Sequence, residues 1–156
     1  MPTVLITGAG RGLGLEFSRQ YAADGWRVIA TCRDPSGAAG KALQEIAGRV
    51  DIHPLDVTDD RSVATLAKAL ATDSIDLLLN VAGIYGPRPA NLDDIDYTAW
   101  EEVFRINTMA PLRVSSAFIE QVARSEHRQM ITISSVMGSI ARLEKVEFWV
   151  EMYFLE

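Results

Sequence analysis

A chain of 156 residues suits one domain and leaves no room for a second of ordinary size. With 48% apolar and 23% charged residues it reads as an ordinary globular chain, not a disordered one, and its apolar runs fall far short of the ~18 residues that span a bilayer. A net charge of −6 works against bulk attraction to nucleic acid or to anionic lipid, which rests on basic patches.

The predicted elements alternate between strand and helix. Thr3–Thr7 is a short apolar strand, and glycines follow it at once. Gly12 to Asp24 has helical spacing, with Leu13, Phe17, Tyr21 and Ala22 on one side, and stops at Gly25. Arg27–Thr31 is a second strand, and Asp34-Pro35-Ser36-Gly37 is a turn. Ala38–Ala47 reads as a helix and Val50–His53 as a third strand. Thr58 is the expected cap of a helix over Asp59–Ala71. Ile75–Leu79 is a fourth strand, and Gly86-Pro87-Arg88-Pro89 a loop. Thr98-Ala99-Trp100-Glu101 fits a capping box and opens a long helix towards Ser125. Gln129–Ser134 is a fifth strand.

Strands that read as continuous apolar runs, joined by helices, predict a parallel sheet covered on both faces. Right-handed crossovers make this a Rossmann-like doubly wound α/β fold of about five strands, in the order 3-2-1-4-5. The single cysteine, Cys32, excludes internal disulfides and fits a reducing cytoplasm. Met1-Pro2-Thr3 runs straight into the first strand, so no secretory leader is expected. His53 and His127 give no zinc spacing, and no metal is expected.

The first strand runs through Thr7-Gly8-Ala9-Gly10-Arg11-Gly12-Leu13-Gly14 directly into a helix. Glycines let the backbone approach a pyrophosphate without Cβ clashes, and the helix start presents free N–H groups. The bland alternative is a glycine turn with no ligand. After the second strand stands Thr31-Cys32-Arg33, with no carboxylate at the strand end to accept from a ribose 2′-hydroxyl. Arg33 and Arg11 share one corner and favour a 2′-phosphate, hence NADP(H); the alternative is two solvated arginines. Asp34, next to Arg33, works against this.

Asn107 and Pro111 lie four apart in a predicted helix. Proline has no N–H for the Asn107 carbonyl, so a kink with a free acceptor is expected, with or without chemistry attached. Ser134-Ser135-Val136-Met137-Gly138 follows the fifth strand, at the sheet end where open α/β sheets place ligands; a plain strand-end turn is the alternative.

The spacing Thr-Gly-x-x-x-Gly-x-Gly resembles that of the short-chain dehydrogenase/reductase family. The resemblance extends from residue 3 to about 141, and VLITGAGRGLGLEF and ATCRDP look most like the carbonyl-reductase members related to the sniffer and C-factor proteins. It implies NADP(H)-dependent hydride transfer to a small-molecule carbonyl substrate. It further implies a cofactor cradle of Thr7, Gly8, Arg11, Gly12, Leu13, Gly14 and Arg33, and an adenine contact at Asp56-Val57, although an Asp after a strand is as often a cap or turn residue. Asn80-Val81-Ala82-Gly83 resembles the family's Asn-Asn-Ala-Gly, with Val81 in place of the second Asn. Ala82 and Gly83 would approach the cofactor ribose, and Asn80 would tie neighbouring strands. Ser135 would donate to the substrate carbonyl, and the Asn107 carbonyl would hold a relay water.

The resemblance breaks at the family's Tyr-x-x-x-Lys. A tyrosine hydroxyl, pKa ~10 when free, needs that lysine to reach the working range of a proton donor. No tyrosine here has a lysine four residues on: thirteen residues after Ser135 stands Phe148, Tyr153 comes three residues before the last one, and Lys145 precedes it. Residues 142–156 (RLEKVEFWVEMYFLE) are apolar and aromatic, unlike the family, and fit helix or strand periodicity. The expectation is a C-terminally truncated or altered chain. Residues 1–141 would be an incomplete NADP-binding domain, with the fifth strand as an uncovered edge. Three functions follow: an impaired reductase, a non-catalytic NADP(H)-binding or interaction module, or a non-functional fragment. A homodimer through the long helix is expected by resemblance.

Overall fold

In a computed structural model the chain is described over residues 1–87 and 91–135. Arg88 and Pro89 of the predicted loop, Val136, Met137 and Gly138 of the serine segment, and the 142–156 stretch lie outside the described residues.

Five parallel strands form one sheet: β1 (Thr3–Ile6), β2 (Arg27–Cys32), β3 (Val50–Pro54), β4 (Leu77–Asn80) and β5 (Gln129–Thr132). Their order is β3-β2-β1-β4-β5, the doubly wound order expected from right-handed crossovers. Because β1 pairs on both sides, Leu5 stands beside Ile29 and Leu78. All three are fully buried.

The alternation of side chains along each strand splits the core in two. On one face Val4, Ile6, Val28, Ala30, Leu77 and Leu79 pack with residues of α1 (Gly12–Ala23) and α2 (Ala38–Gln44). On the other, Leu5, Ile29 and Leu78 meet α3 (Asp60–Ala69), α5 (Ala110–Ala117) and α6 (Ile119–Ala123) through Val63, Leu66, Val114, Phe118 and Val122. No described helix is long and apolar enough to cross a membrane. Among the described residues β5 is an edge strand, with Ile131 and Ile133 partly exposed.

Several local expectations are corrected. Leu13 does not join the buried face of α1: it is 60% exposed, while Gly14, Ser18 and Ala22 are buried. The cap of α3 is Asp59, whose carboxylate accepts from Arg61 N–H at 2.9 Å, not Thr58. Thr58 is instead drawn back to Asp56, which accepts from both its N–H and its hydroxyl. The same displacement occurs at α4 (Tyr97–Phe104): Asp96 caps it through Ala99 N–H at 3.0 Å, and Thr98 lies inside the helix. In both places an aspartate just ahead of the helix competes with the nearby threonine, and the carboxylate is the stronger acceptor at a helix start. α2 ends at Gln44, short of Ala47.

The predicted long helix is interrupted twice. α4 passes into a π turn over Arg105–Met109, then α5 begins, and a break at Phe118 separates α5 from α6. The π turn is the physical answer to Pro111. Proline cannot donate to the residue 107 carbonyl, and Ala110 N–H reaches one residue further back, to Arg105 O.

Candidate functional site

The carboxyl ends of all five parallel strands lie along one edge of the sheet, and the turn after each contributes to the site. At the end of β1, Thr7 is buried and its hydroxyl accepts from Val81 N–H at 3.0 Å and Ala82 N–H at 3.1 Å. Thr7 N–H donates to Leu79 O, and Ala9 N–H to Thr31 O at 2.8 Å. The glycine turn is therefore clamped to β4 on one side and to β2 on the other.

Two glycines make this packing possible. Gly8 has φ +65°, a left-handed conformation, and an added Cβ would lie 2.8 Å from Ala82 Cα. At Gly14, in the first turn of α1, a Cβ would lie 2.3 Å from Gly8 O. The helix start is thus pressed against the turn, with only backbone in between. Arg11 sits at the N-cap of α1 in extended backbone and is exposed, as is Leu13. The arrangement leaves N–H groups at the start of a helix, beside an arginine, at a sheet end: a cradle for an anion.

Arg33 follows β2 at the same edge and is exposed. The Asp34 carboxylate is engaged within its own turn: its Oδ1 accepts from Ser36 N–H at 2.9 Å and Ser36 Oγ at 2.6 Å. The Ser36 hydroxyl, followed by its N–H, holds the Asp34 carboxyl below the usual range.

Asp56, after β3, is fixed by a turn of its own. Its Oδ1 accepts from Thr58 Oγ1 at 2.7 Å and Thr58 N–H at 2.9 Å, while its N–H donates to Ser62 Oγ. The Thr58 hydroxyl and N–H outweigh burial and keep the Asp56 carboxyl ionised below its ordinary range, helped by the charges of Arg33 and Arg105. Val57 lines a cleft too tight to hold a water molecule, together with Thr7, Asn80, Ala82, Ala110, Pro111 and Val114. Asn80 is 4% exposed and donates to Ser115 Oγ at 3.2 Å, and its carbonyl accepts from Ile133 N–H. It ties β4 to α5 and β5. Gly83 follows in the same loop, where a Cβ would lie 3.4 Å from Asn107 Oδ1.

The structure thus brings Thr7, Val57, Asn80 and Ala82 around one cleft, packs Gly8 against Ala82 and Gly14 against Gly8, and places Arg11, Gly12, Leu13, Arg33 and Asp56 along the same edge. Ser135 lies three residues beyond β5, at that edge as well. Asn107 has a role that spacing did not indicate. Its side chain makes a two-way bond to one residue of the loop after β4: Oδ1 accepts from Ile84 N–H and Nδ2 donates to Ile84 O, both at 3.0 Å. The sequence signal available was only an amide residue at the expected helix distortion. No sequence motif marks Arg113. It bonds the Asp60 carboxylate and donates to Val57 O at 3.2 Å.

A five-stranded doubly wound sheet with a glycine-lined helix start at its switch point defines a dinucleotide-binding class of protein. The chain belongs to the short chain dehydrogenase family, whose family model matches residues 2–147. It is 32% identical to the (+)-neomenthol dehydrogenase of Arabidopsis thaliana, over 87% of this chain and 54% of that one. Among solved structures, an NADPH-bound carbonyl reductase from chicken fatty liver superposes with a TM-score of 0.82 at 33% identity, covering 99% of this chain and 64% of that one. The carbonyl reductase Sniffer of Caenorhabditis elegans gives a TM-score of 0.80 at 29% identity, over 91% of this chain and 67% of that one. The chain spans about half the length of the curated relatives it matches.

Proposed function

We propose that this chain is the NADP(H)-binding part of a short-chain dehydrogenase/reductase directed at a small carbonyl compound. Residues 1–141 form the cofactor-binding unit in this reading, and 142–156 a divergent apolar segment. The observation that carries it is the Gly8–Gly14 contact, a cradle that any side chain would fill, with Arg11 and Arg33 at the same edge. The residues fit the group: backbone N–H groups at the start of α1 suit the pyrophosphate, the two guanidiniums the 2′-phosphate, and the Asp56 carboxylate an amino donor. Bound there, the nicotinamide supplies hydride chemistry.

The chain's own part in the reaction is to orient the substrate and to manage a proton. The Ser135 hydroxyl donates to the substrate oxygen and polarises the carbonyl. Asn107 holds the loop at Ile84 beside the cleft. The oxygen that gains charge then needs a proton, and these 156 residues hold no Tyr-x-x-x-Lys to give it. Turnover is expected ~10²–10⁴ below that of a site with a matched acid. The second reading is a non-catalytic NADP(H)-binding module. Phe104, Met109, Leu112 and Ile119 stand exposed along α4 to α6, which supports a homodimer through that stretch.

NADPH fluorescence titration with a turnover assay on simple aldehydes and quinones separates the readings. Saturable binding with slow turnover is expected. Binding alone selects the module, and no binding overturns both. Arg33→Asp discriminates between cofactors: it is expected to raise the Kd for NADPH about 10–100-fold, by trading a phosphate-pairing cation for a carboxylate, and to change the Kd for NADH little. Equal losses for the two would defeat the assignment of Arg33 to the 2′-phosphate.

A further inference from the structure

The loop from Asp56 to Asp59 carries one wall of the cleft, and most of its bonds are local. Asp56 holds Thr58 and meets Ser62, and Asp59 caps α3. These bonds give the loop its shape and join it to α3. They do not set its position against α5: Val57 does so in part, by packing on the core that includes Val114 and Phe118, and Arg113 adds the directed polar bonds. From the second turn of α5 it bonds the Asp60 carboxylate through Nε and donates from Nη1 to Val57 O at 3.2 Å.

The two bonds are unequal in consequence. The Asp60 side chain is 83% exposed, so its ion pair is screened by solvent and contributes little. The bond to Val57 O acts on a peptide plane. The carbonyl of Val57 and the N–H of Thr58 belong to one planar unit, so fixing one fixes the direction of the other. That N–H donates to Asp56 Oδ1 at 2.9 Å. A continuous path therefore runs from the Arg113 guanidinium through the 57–58 peptide to the Asp56 carboxylate, and aligned hydrogen bonds of this kind reinforce one another. Arg113 is also six residues after Asn107 and two after Pro111, on the interrupted helix that bounds the cleft.

We infer that Arg113 is a positioning residue for the adenine side of the cofactor site: it holds the Val57–Thr58 peptide so that Asp56 presents its carboxylate, and it locks that wall to the helix segment bearing Asn107. The inference rests on the NADP(H)-binding reading for its ligand, though not for the geometry. A simple staple between α3 and α5 is the competing role. That contact is already made by Val63, Leu66, Val114 and Phe118 in the apolar core, so a staple would be redundant.

The test uses the full chain with Arg113→Met, Arg113→Lys and Asp60→Asn. Methionine keeps much of the apolar stem and removes every donor. Arg113→Met is expected to raise the Kd for both NADPH and 2′,5′-ADP about tenfold, the weight of a lost hydrogen bond to a charged group. Arg113→Lys keeps one donor and is expected to return within about threefold of wild type, and Asp60→Asn, which removes only the screened ion pair, within about twofold. Without any cofactor, amide exchange at Thr58 is expected to be about tenfold faster in Arg113→Met, as its peptide is released. Wild-type affinity in Arg113→Met overturns the inference. So does an affinity loss of equal size in Asp60→Asn, which would reveal a staple. If wild type binds neither NADPH nor 2′,5′-ADP, the functional reading falls, and Thr58 exchange alone then decides whether Arg113 positions the loop. Should Arg113→Met not fold, Arg113→Lys against Asp60→Asn makes the same comparison.

Discussion

Gly14→Ala is expected to abolish saturable NADPH binding while leaving a folded protein. The added Cβ would lie 2.3 Å from Gly8 O and 2.9 Å from Ala9 Cα. Both neighbours are backbone, so no side chain can rotate away. The turn cannot retreat either, because Thr7 and Ala9 N–H groups bond Leu79 O and Thr31 O. Either α1 slides out or the turn loses its registry with β2 and β4. Overpacking of this kind costs ~1–3 kcal/mol of stability. Binding suffers more, since displacing two backbone donors from a phosphate forfeits ~1.5–3 kcal/mol each, at least about a hundredfold in Kd. Fluorescence titration beside a thermal melt measures both. A variant that binds NADPH like wild type would remove the glycine cradle from the site and, with it, the observation on which the proposed function rests.

Gly14 is also a case where sequence and structure agree, and the reason is that its signal is local. Seven residues from Gly8 to Gly14 contain both sides of the contact: the spacing marks a tight glycine turn, and the structure supplies the partner, Gly8 O. The strand order was legible for a related reason: apolar runs alternating with helices leave few right-handed arrangements. The caps were misread because a threonine and an aspartate stood two residues apart at Thr98 and Asp96 and adjacent at Thr58 and Asp59. Motif matching does not say which one the backbone reaches. Asn107 was selected for its carbonyl, whereas its amide side chain bonds Ile84, 23 residues away in sequence. Arg113 meets Val57 across a separation of 56 residues. Contacts of that range depend on how α5 settles on the sheet, and no single-chain periodicity encodes them. What reads well from sequence here is the part of the site built within one turn. What does not is the part held by helices that arrive from elsewhere.

Phe118→Ala is expected to cost ~3–5 kcal/mol, a large share of the ~5–15 kcal/mol that holds a domain folded. Phe118 is fully buried among Leu5, Leu70, Ile75, Leu78 and Val63 and lies at the break between α5 and α6. Its backbone there is not helical, with φ −107° and ψ 8°, so the ring occupies the core at the point where the helix gives way. Removing the ring leaves a cavity bounded by the strands and α3, which are too constrained to close over it. Immediately beyond it, Gln121 O accepts from Ile75 N–H and Gln121 Nε2 donates to Ala67 O, so the same turn anchors α6 to the segment entering β4 and to α3. Yet Phe118 packs with the residues that enter β4, whereas Pro111 lines the cleft near the residues that follow it. The core and the cleft share Val114 and, at the margin of the core, Val57, and the substitution removes neither. Below the lowered melting point, the Kd for NADPH should therefore stay within about threefold of wild type. Chemical denaturation and cofactor titration on the same preparation check the two halves. A large affinity loss would mean that α5 transmits the repacking along its length to Arg113 and Asn107, and that the core and the cofactor edge form one cooperative unit.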